Sequence, residues 1–157
     1  MSLPPFQTLL DAHGLDVYRL LVATVGRADA EDCYQETWLA ALRHYPRLRE
    51  SSNLRGWILT VAHRKALDHF RAGKRRAVPV AEPPDAAPDA GAPLDGPSEE
   101  LWSAVRKLPD KQRAAIALRF VSDADYAQIS AVMGTSEEAA RRNVHEGLKR
   151  LRTEYTP

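Results

Sequence analysis

The chain is poor in cysteine: one residue, Cys33, in 157. A lone cysteine excludes an internal disulfide and a multi-cysteine zinc cluster. Nor does any run approach the roughly 18 uninterrupted apolar residues of a membrane span. The opening MSLPPFQTLL lacks a charged segment ahead of a long apolar run, so no signal peptide is expected. Period-two alternation of β-branched residues between turns, the strand signal, is also absent. These absences leave an all-α, soluble, cytoplasmic protein without membrane insertion as the expectation.

Charge is present but unevenly placed. The formal net charge of +1 conceals a pattern. Residues 1–76 hold 12 Lys/Arg against 8 Asp/Glu, residues 77–100 hold 6 acids and no base, and residues 101–157 hold 10 bases against 7 acids. The acidic stretch is also where composition breaks, in AVPVAEPPDAAPDAGAPLDGP. Proline removes backbone donors and fixes φ, and so little apolar surface cannot offset the entropy of ordering. The expected organisation is two small helical domains, 1–76 and 99–157, joined by a flexible acidic linker over 77–98.

Helical spacing recurs in VYRLLVATV and in ADAEDCYQETWLAALRHY, where Cys33, Trp38, Ala41 and Tyr45 share a side and Pro46 ends the run. Asn53 or a neighbouring serine suits the N-cap of the next helix. Beyond the linker, SEELWSAVRKL forms a helix and Pro109 with Asp110 opens another. DYAQISAVMG, a break at Gly134 and SEEAARRNVHEGLKRLRTEY then outline a helix-turn-helix, with a T-x-x-E capping box predicted from Thr135 and Glu138.

The segment NLRGWILTVAHRKALDHFRAGKRR, residues 53–76, allows two readings. At about 100° per residue, Ile58, Leu59, Ala62, Ala66 and Phe70 share the buried arc, while Thr60, Arg64, Asp68, Arg71 and Arg75 face the other way with Trp57 among them. His63 and His69 are six apart, so the i, i+4 pairing of helical zinc ligands is missing and no metal or cofactor is expected. The plain alternative is a solvated face carrying an Arg64–Asp68 ion pair, with Trp57 in the core. The four cations of RAGKRR favour a nucleic-acid surface, with an aromatic for stacking and a basic track for phosphates. In the last helix, Ala140, Val144, Leu148 and Leu151 form the buried stripe. Arg141, Arg142, His145, Lys149, Arg152 and Glu138 lie opposite, a face that suits a recognition helix or, equally, a solvated amphipathic helix. No nucleophile, base or metal constellation suggests an enzyme.

Four segments together, DAEDCYQETWLAAL, LRGWILTVAHRKALDHFR, LPDKQRAAIALRFV and DYAQISAVMGTSEEAARRNVHEGLKRLR, resemble regions 2 and 4 of the extracytoplasmic-function (ECF) sigma factors of bacterial RNA polymerase. The resemblance implies a region 2 helical bundle and a region 4 helix-turn-helix. It implies that Asp32, Gln35, Glu36 and Thr37 dock on core polymerase. It implies that Asn53, Arg55, Trp57, Arg64, Lys65, Asp68, Arg71 and Lys74 serve the −10 element, and that Ser136, Glu137, Arg141, Arg142 and His145 serve the −35 element. The implied partners are the polymerase core, promoter DNA and an anti-sigma factor. Glu138 and Ala139 depart from the family pattern, which keeps one alternative open: a sigma-like helix-turn-helix regulator or interaction protein without initiation activity.

Overall fold

The computed structural model describes residues 3–49, 53–75 and 99–154. The predicted acidic linker, 77–98, lies outside the described residues. Among the described residues there are seven α-helices, in the order α1 (Phe6–Val25), α2 (Arg27–His44), α3 (Leu54–Arg75), α4 (Glu99–Arg106), α5 (Asp110–Phe120), α6 (Tyr126–Met133) and α7 (Glu137–Glu154). Among the described residues there is no strand.

Helices α1, α2 and α3 form the first bundle. Gly26, at φ 87°, turns the chain sharply between α1 and α2, a backbone state that side chains other than hydrogen disfavour. Val17, Leu20 and Leu21 of α1 meet Cys33, Trp38 and Ala41 of α2 and Ile58, Leu59, Ala62 and Ala66 of α3, all of them buried. Helix α2 ends at His44 and tightens into a 3-10 turn, Tyr45–Arg47, which places Pro46 where no interior α-helical donor is needed. Tyr45 anchors an aromatic cluster, with Phe6 5.3 Å and Trp57 6.1 Å away between ring centroids. Its hydroxyl donates to the carbonyl of Pro4.

Helices α4 to α7 form the second unit. Pro109 occupies the N-cap of α5, just ahead of Asp110 rather than inside the helix. Gly134 closes α6 in the left-handed conformation at φ 67°, making the turn before α7. Gly147 lies against α5 so closely that a Cβ there would come within 2.9 Å of Ile116 Cγ1. The predicted capping box at Thr135 and Glu138 is not formed. The cap is Ser136, whose Oγ accepts from the Ala139 N–H at 3.0 Å, so the first turn starts one residue later than the T-x-x-E pattern implies. A full capping box exists instead at α6, where the Asp125 carboxylate accepts from Gln128 N–H at 2.8 Å and the Gln128 side chain accepts from Asp125 N–H at 2.9 Å.

The two units pack directly on one another. Helix α3 lies against α6, and α1 lies against α4 and α5. The Arg113 guanidinium of α5 stacks 3.4 Å from the Phe70 ring centroid of α3. Arg113 is only 5% exposed. Its charge is held by Asp110 at 2.6 Å and by the carbonyl of Leu108 at 3.0 Å. Desolvation is the largest influence on that guanidinium and lowers its pKa, opposed by the Asp110 contact.

Candidate nucleic-acid and polymerase interfaces

Three surfaces carry the side chains singled out by the sequence. The first is the outer face of α2, where Asp32, Gln35 and Glu36 are exposed on one side of the helix. Thr37 does not belong to it. Its side chain is fully buried, and its hydroxyl donates to the Cys33 carbonyl at 2.7 Å, so it meets no partner surface. A hydroxyl satisfied by the preceding turn can be buried, and composition alone does not reveal that choice. Leu39 and Leu42, by contrast, are 54% and 52% exposed. Leu39, at i+3 and i+4 from Glu36 and Gln35, extends the same face, and Leu42 lies at its edge. Sequence reading missed both because a leucine at helical spacing is normally assigned to the core. Cys33 beneath this face is a buried thiol with its pKa raised to about 11, first by desolvation and then by Glu36, Asp29 and Asp32.

The second surface is α3. The Asn53 side chain accepts from Gly56 N–H at 3.0 Å and caps the helix, one of the two caps the sequence allows. Arg64, Asp68 and Arg71 are exposed and Lys65 is partly so. The Arg64–Asp68 ion pair of the plain alternative is absent among the described residues, which leaves both groups open to solvent-side partners. Lys74 lies in the last turn of α3, and its side chain is outside the described residues. Trp57 is neither fully exposed nor core. It is half-buried, with one side against Tyr45 and another lining a cleft of about 180 Å3 shared with Asn53, Arg55 and Thr60. Arg55 is engaged: Nε lies 3.3 Å from Asp16 of α1, and Nη2 donates to the Ser122 carbonyl of the second unit.

The histidines of α3 behave as structural residues. His63 is buried, and its pKa falls to about 4 through desolvation first and then the charges of Arg64, Arg113 and Arg71. His69 Nε2 lies 3.3 Å from the Asp29 carboxylate of α2. No group of three or more potential metal ligands occurs among the described residues.

The third surface is α7. Ser136, Glu137, Arg141, Arg142 and His145 are all exposed, while Ala140, Val144 and Leu151 are buried and Leu148 is partly so. Arg141 lies 5.0 Å from the Tyr126 ring centroid of α6. A helix held on its apolar side by α5 and α6, with a cationic row facing out, is a rigid element of the width a major groove accepts.

A two-unit helical protein with an exposed cationic helix after a tight turn belongs to the helix-turn-helix class of nucleic-acid-binding proteins. The family can be stated more narrowly. Residues 9–76 match Sigma-70 region 2, and residues 98–151 match Sigma-70, region 4. The chain is 31% identical over 154 residues to the ECF RNA polymerase sigma factor BldN of Streptomyces coelicolor, covering 93% of this chain and 58% of that protein. It is 30% identical over 151 residues to the RNA polymerase sigma factor CarQ of Myxococcus xanthus, covering 94% of this chain and 87% of that one. Its fold matches the sigma factor RpoE from Bartonella quintana, solved in complex with the anti-sigma factor NepR, with a TM-score of 0.77, 22% identity and 94% of each chain covered. The chain belongs to the ECF RNA polymerase sigma factors of the sigma-70 family. Members of this family are transcription initiation factors, not themselves catalysts. No described helix is long and apolar enough to cross a membrane.

Proposed function

We propose that this chain binds core polymerase and directs promoter-specific initiation by recognising −10 and −35 elements, with its roles divided among the three surfaces. The observation that carries the reading is the presence of regions 2 and 4 in order on one chain. A plain DNA-binding regulator would need only the second. We assign region 2 to 1–76, the linker to 77–98 and region 4 to 99–157.

Asp32, Gln35 and Glu36 form the polar part of the polymerase-docking face, with Leu39 and Leu42 supplying apolar area. Mixed patches of this kind gain affinity from leucines that become buried on docking and orientation from the charges. Arg55 and Trp57 in the first turn of α3, with Asn53 at its cap, surround the cleft that takes an unstacked base of the melted −10 strand. Arg64, Lys65, Arg71 and Lys74 follow the phosphates, and Asp68 is placed to accept from a base amino group. On α7, Ser136 and Glu137 at the helix N-terminus meet base edges, and Arg141, Arg142 and His145 continue along the groove and its phosphates.

The chain works in the cytoplasm, needs no cofactor and catalyses no reaction of its own; the polymerase supplies the chemistry. An anti-sigma factor covering these same surfaces is the natural regulator, supported by the likeness to RpoE, which was solved with NepR. Run-off transcription with core polymerase and the purified chain tests the function. Discrete promoter-dependent products are expected. Promoter binding without polymerase, and no initiation with it, would replace this reading by a helix-turn-helix regulator.

A further inference from the structure

Trp57 lies in the first turn of α3, where the helix fixes its backbone but leaves the indole two torsions to settle. A base stacks on that indole at low entropic cost only when the ring plane is set before the base arrives. An aromatic neighbour is in place to set it. Tyr45 lies 6.1 Å away between ring centroids, at an interplanar angle of 42°. Tyr45 is itself held from three sides. Its N–H donates to the Ala41 carbonyl at the end of α2, and its own carbonyl accepts from Leu48 N–H at 3.1 Å. Its ring meets the Phe6 ring edge-on, at 5.3 Å and 70°. Its hydroxyl donates to the Pro4 carbonyl, 41 residues earlier in the chain. That acceptor makes a firm anchor. Pro4 precedes Pro5, so ring constraints fix φ at both residues and confine Pro4 to extended backbone. Pro5 stands at φ −56° and ψ 144° as the N-cap of α1, and its carbonyl is the one that accepts from Thr8 N–H at 3.0 Å. The Pro4 carbonyl therefore lies just ahead of the helix.

We propose that Tyr45 is a positioning residue for strand capture: clamped by Phe6 and the Pro4 carbonyl, it sets the plane of Trp57 for the unstacked −10 base. The proposal rests on the assignment of the Trp57 cleft to that base. Tyr45 does not line the cleft, whose α3 side is made by Asn53, Arg55, Gly56, Trp57 and Thr60. With 7% of its surface exposed, it has little to offer DNA or polymerase directly. Its effect on the strand therefore passes through the indole. A buried ring with one hydroxyl satisfied by backbone is the kind of support that holds a binding side chain in one rotamer. Through it, residues 3–6 at the entry to α1 bear on −10 recognition, although they are some 50 residues from Trp57 in sequence.

Two variants of the full chain separate the parts of the clamp. Tyr45→Leu removes the ring contact and the hydroxyl, whereas Tyr45→Phe keeps the buried ring and loses only the bond to Pro4. Each is combined with core polymerase and a fork-junction DNA from a promoter with a mapped start site, carrying a fluorescent base analogue in the melted −10 strand. Tyr45→Leu should keep polymerase affinity within about twofold and lose strand affinity about tenfold, the fold-change expected of one aromatic pair. Tyr45→Phe should lose only about threefold, the share of the tether to Pro4. Because Tyr45 acts through Trp57, adding Tyr45→Leu to Trp57→Ala should cause no further loss of strand affinity. Losses that multiply in the double variant, or polymerase and strand affinities that fall together, overturn the positioning role and leave Tyr45 a core residue. Tyr45→Phe retains the packing, so it decides the matter even where Tyr45→Leu unfolds: wild-type strand affinity in it overturns the clamp. Full strand affinity in Trp57→Ala alone is a separate result, which removes the cleft assignment and the positioning role with it.

Discussion

The seam between the two units can be weighed by a double-mutant cycle on Phe70 and Arg113. Arg113 carries a charge that is 5% exposed and lies 3.4 Å from the Phe70 ring centroid. Stacked pairs of this kind contribute about 0.5–1 kcal/mol when solvated and about 2 kcal/mol when desolvated. The near-complete burial of the guanidinium places this one in the upper part of that range. Arg113→Ala also removes the Asp110 bond and leaves the Leu108 carbonyl without its donor, so the single variant should lose about 3–5 kcal/mol of stability. Phe70→Ala truncates a half-buried ring and should cost about 2–3 kcal/mol. The informative number is the difference between their sum and the double variant. Urea unfolding of the full chain should give a coupling of about 1–2 kcal/mol. A coupling below about 0.3 kcal/mol, the usual scatter of independent sites, would show that the two side chains do not meet in solution and would refute the packed arrangement.

Other outcomes follow from single residues. His63 is held neutral, its pKa lowered from 6.5 to about 4. The unfolded chain therefore binds more protons between those values, and the stability this group contributes is complete above pH 6.5 and fades as pH falls toward 4, by up to about 3 kcal/mol. Urea midpoints measured from pH 7 to pH 4 should show that slope, and His63→Leu should flatten it. Gly147→Ala gains about 1 kcal/mol of helix propensity but drives a methyl into Ile116, so a net loss of about 1–2 kcal/mol in thermal unfolding is expected. Leu39→Ser with Leu42→Ser should change stability by no more than about 0.5 kcal/mol per site, since both are more than half exposed, yet weaken polymerase binding about tenfold in a pull-down titration. Arg141→Ala should weaken −35 duplex binding by about 1–3 kcal/mol if it reads a base, or lower the salt slope by about 1 if it holds a phosphate.

The helices and their buried faces were legible because the 3.6-residue period dictates which residues face inward. Ile58, Leu59, Ala62, Ala66, Ala140 and Val144 are all buried, and Cys33, Trp38, Ala41 and Tyr45 share the interior as expected. His63 and His69, six residues apart in sequence, have separate surroundings: His63 is buried and His69 lies against Asp29. What could not be read depends on choices between nearly equal local options or on distant partners. Thr37 and Ser136 show the first kind: each hydroxyl bonds nearby backbone, and which hydroxyl takes which turn is a matter of about 1 kcal/mol. Arg55 and Trp57 show the second. Their half-burial is set by Asp16 and Tyr45 of the first bundle together with Ser122 and α6, the latter more than 60 residues along the chain, and no local pattern carries that information.

Sequencing the 5′ ends of transcripts made from genomic DNA, by core polymerase with and without the chain, tests the central claim most directly. The account predicts discrete new 5′ ends that appear only with the chain, preceded by shared −10 and −35 sequences at a fixed spacing, and lost when Trp57 is changed to Ala. Identical 5′ ends with and without the chain would contradict it.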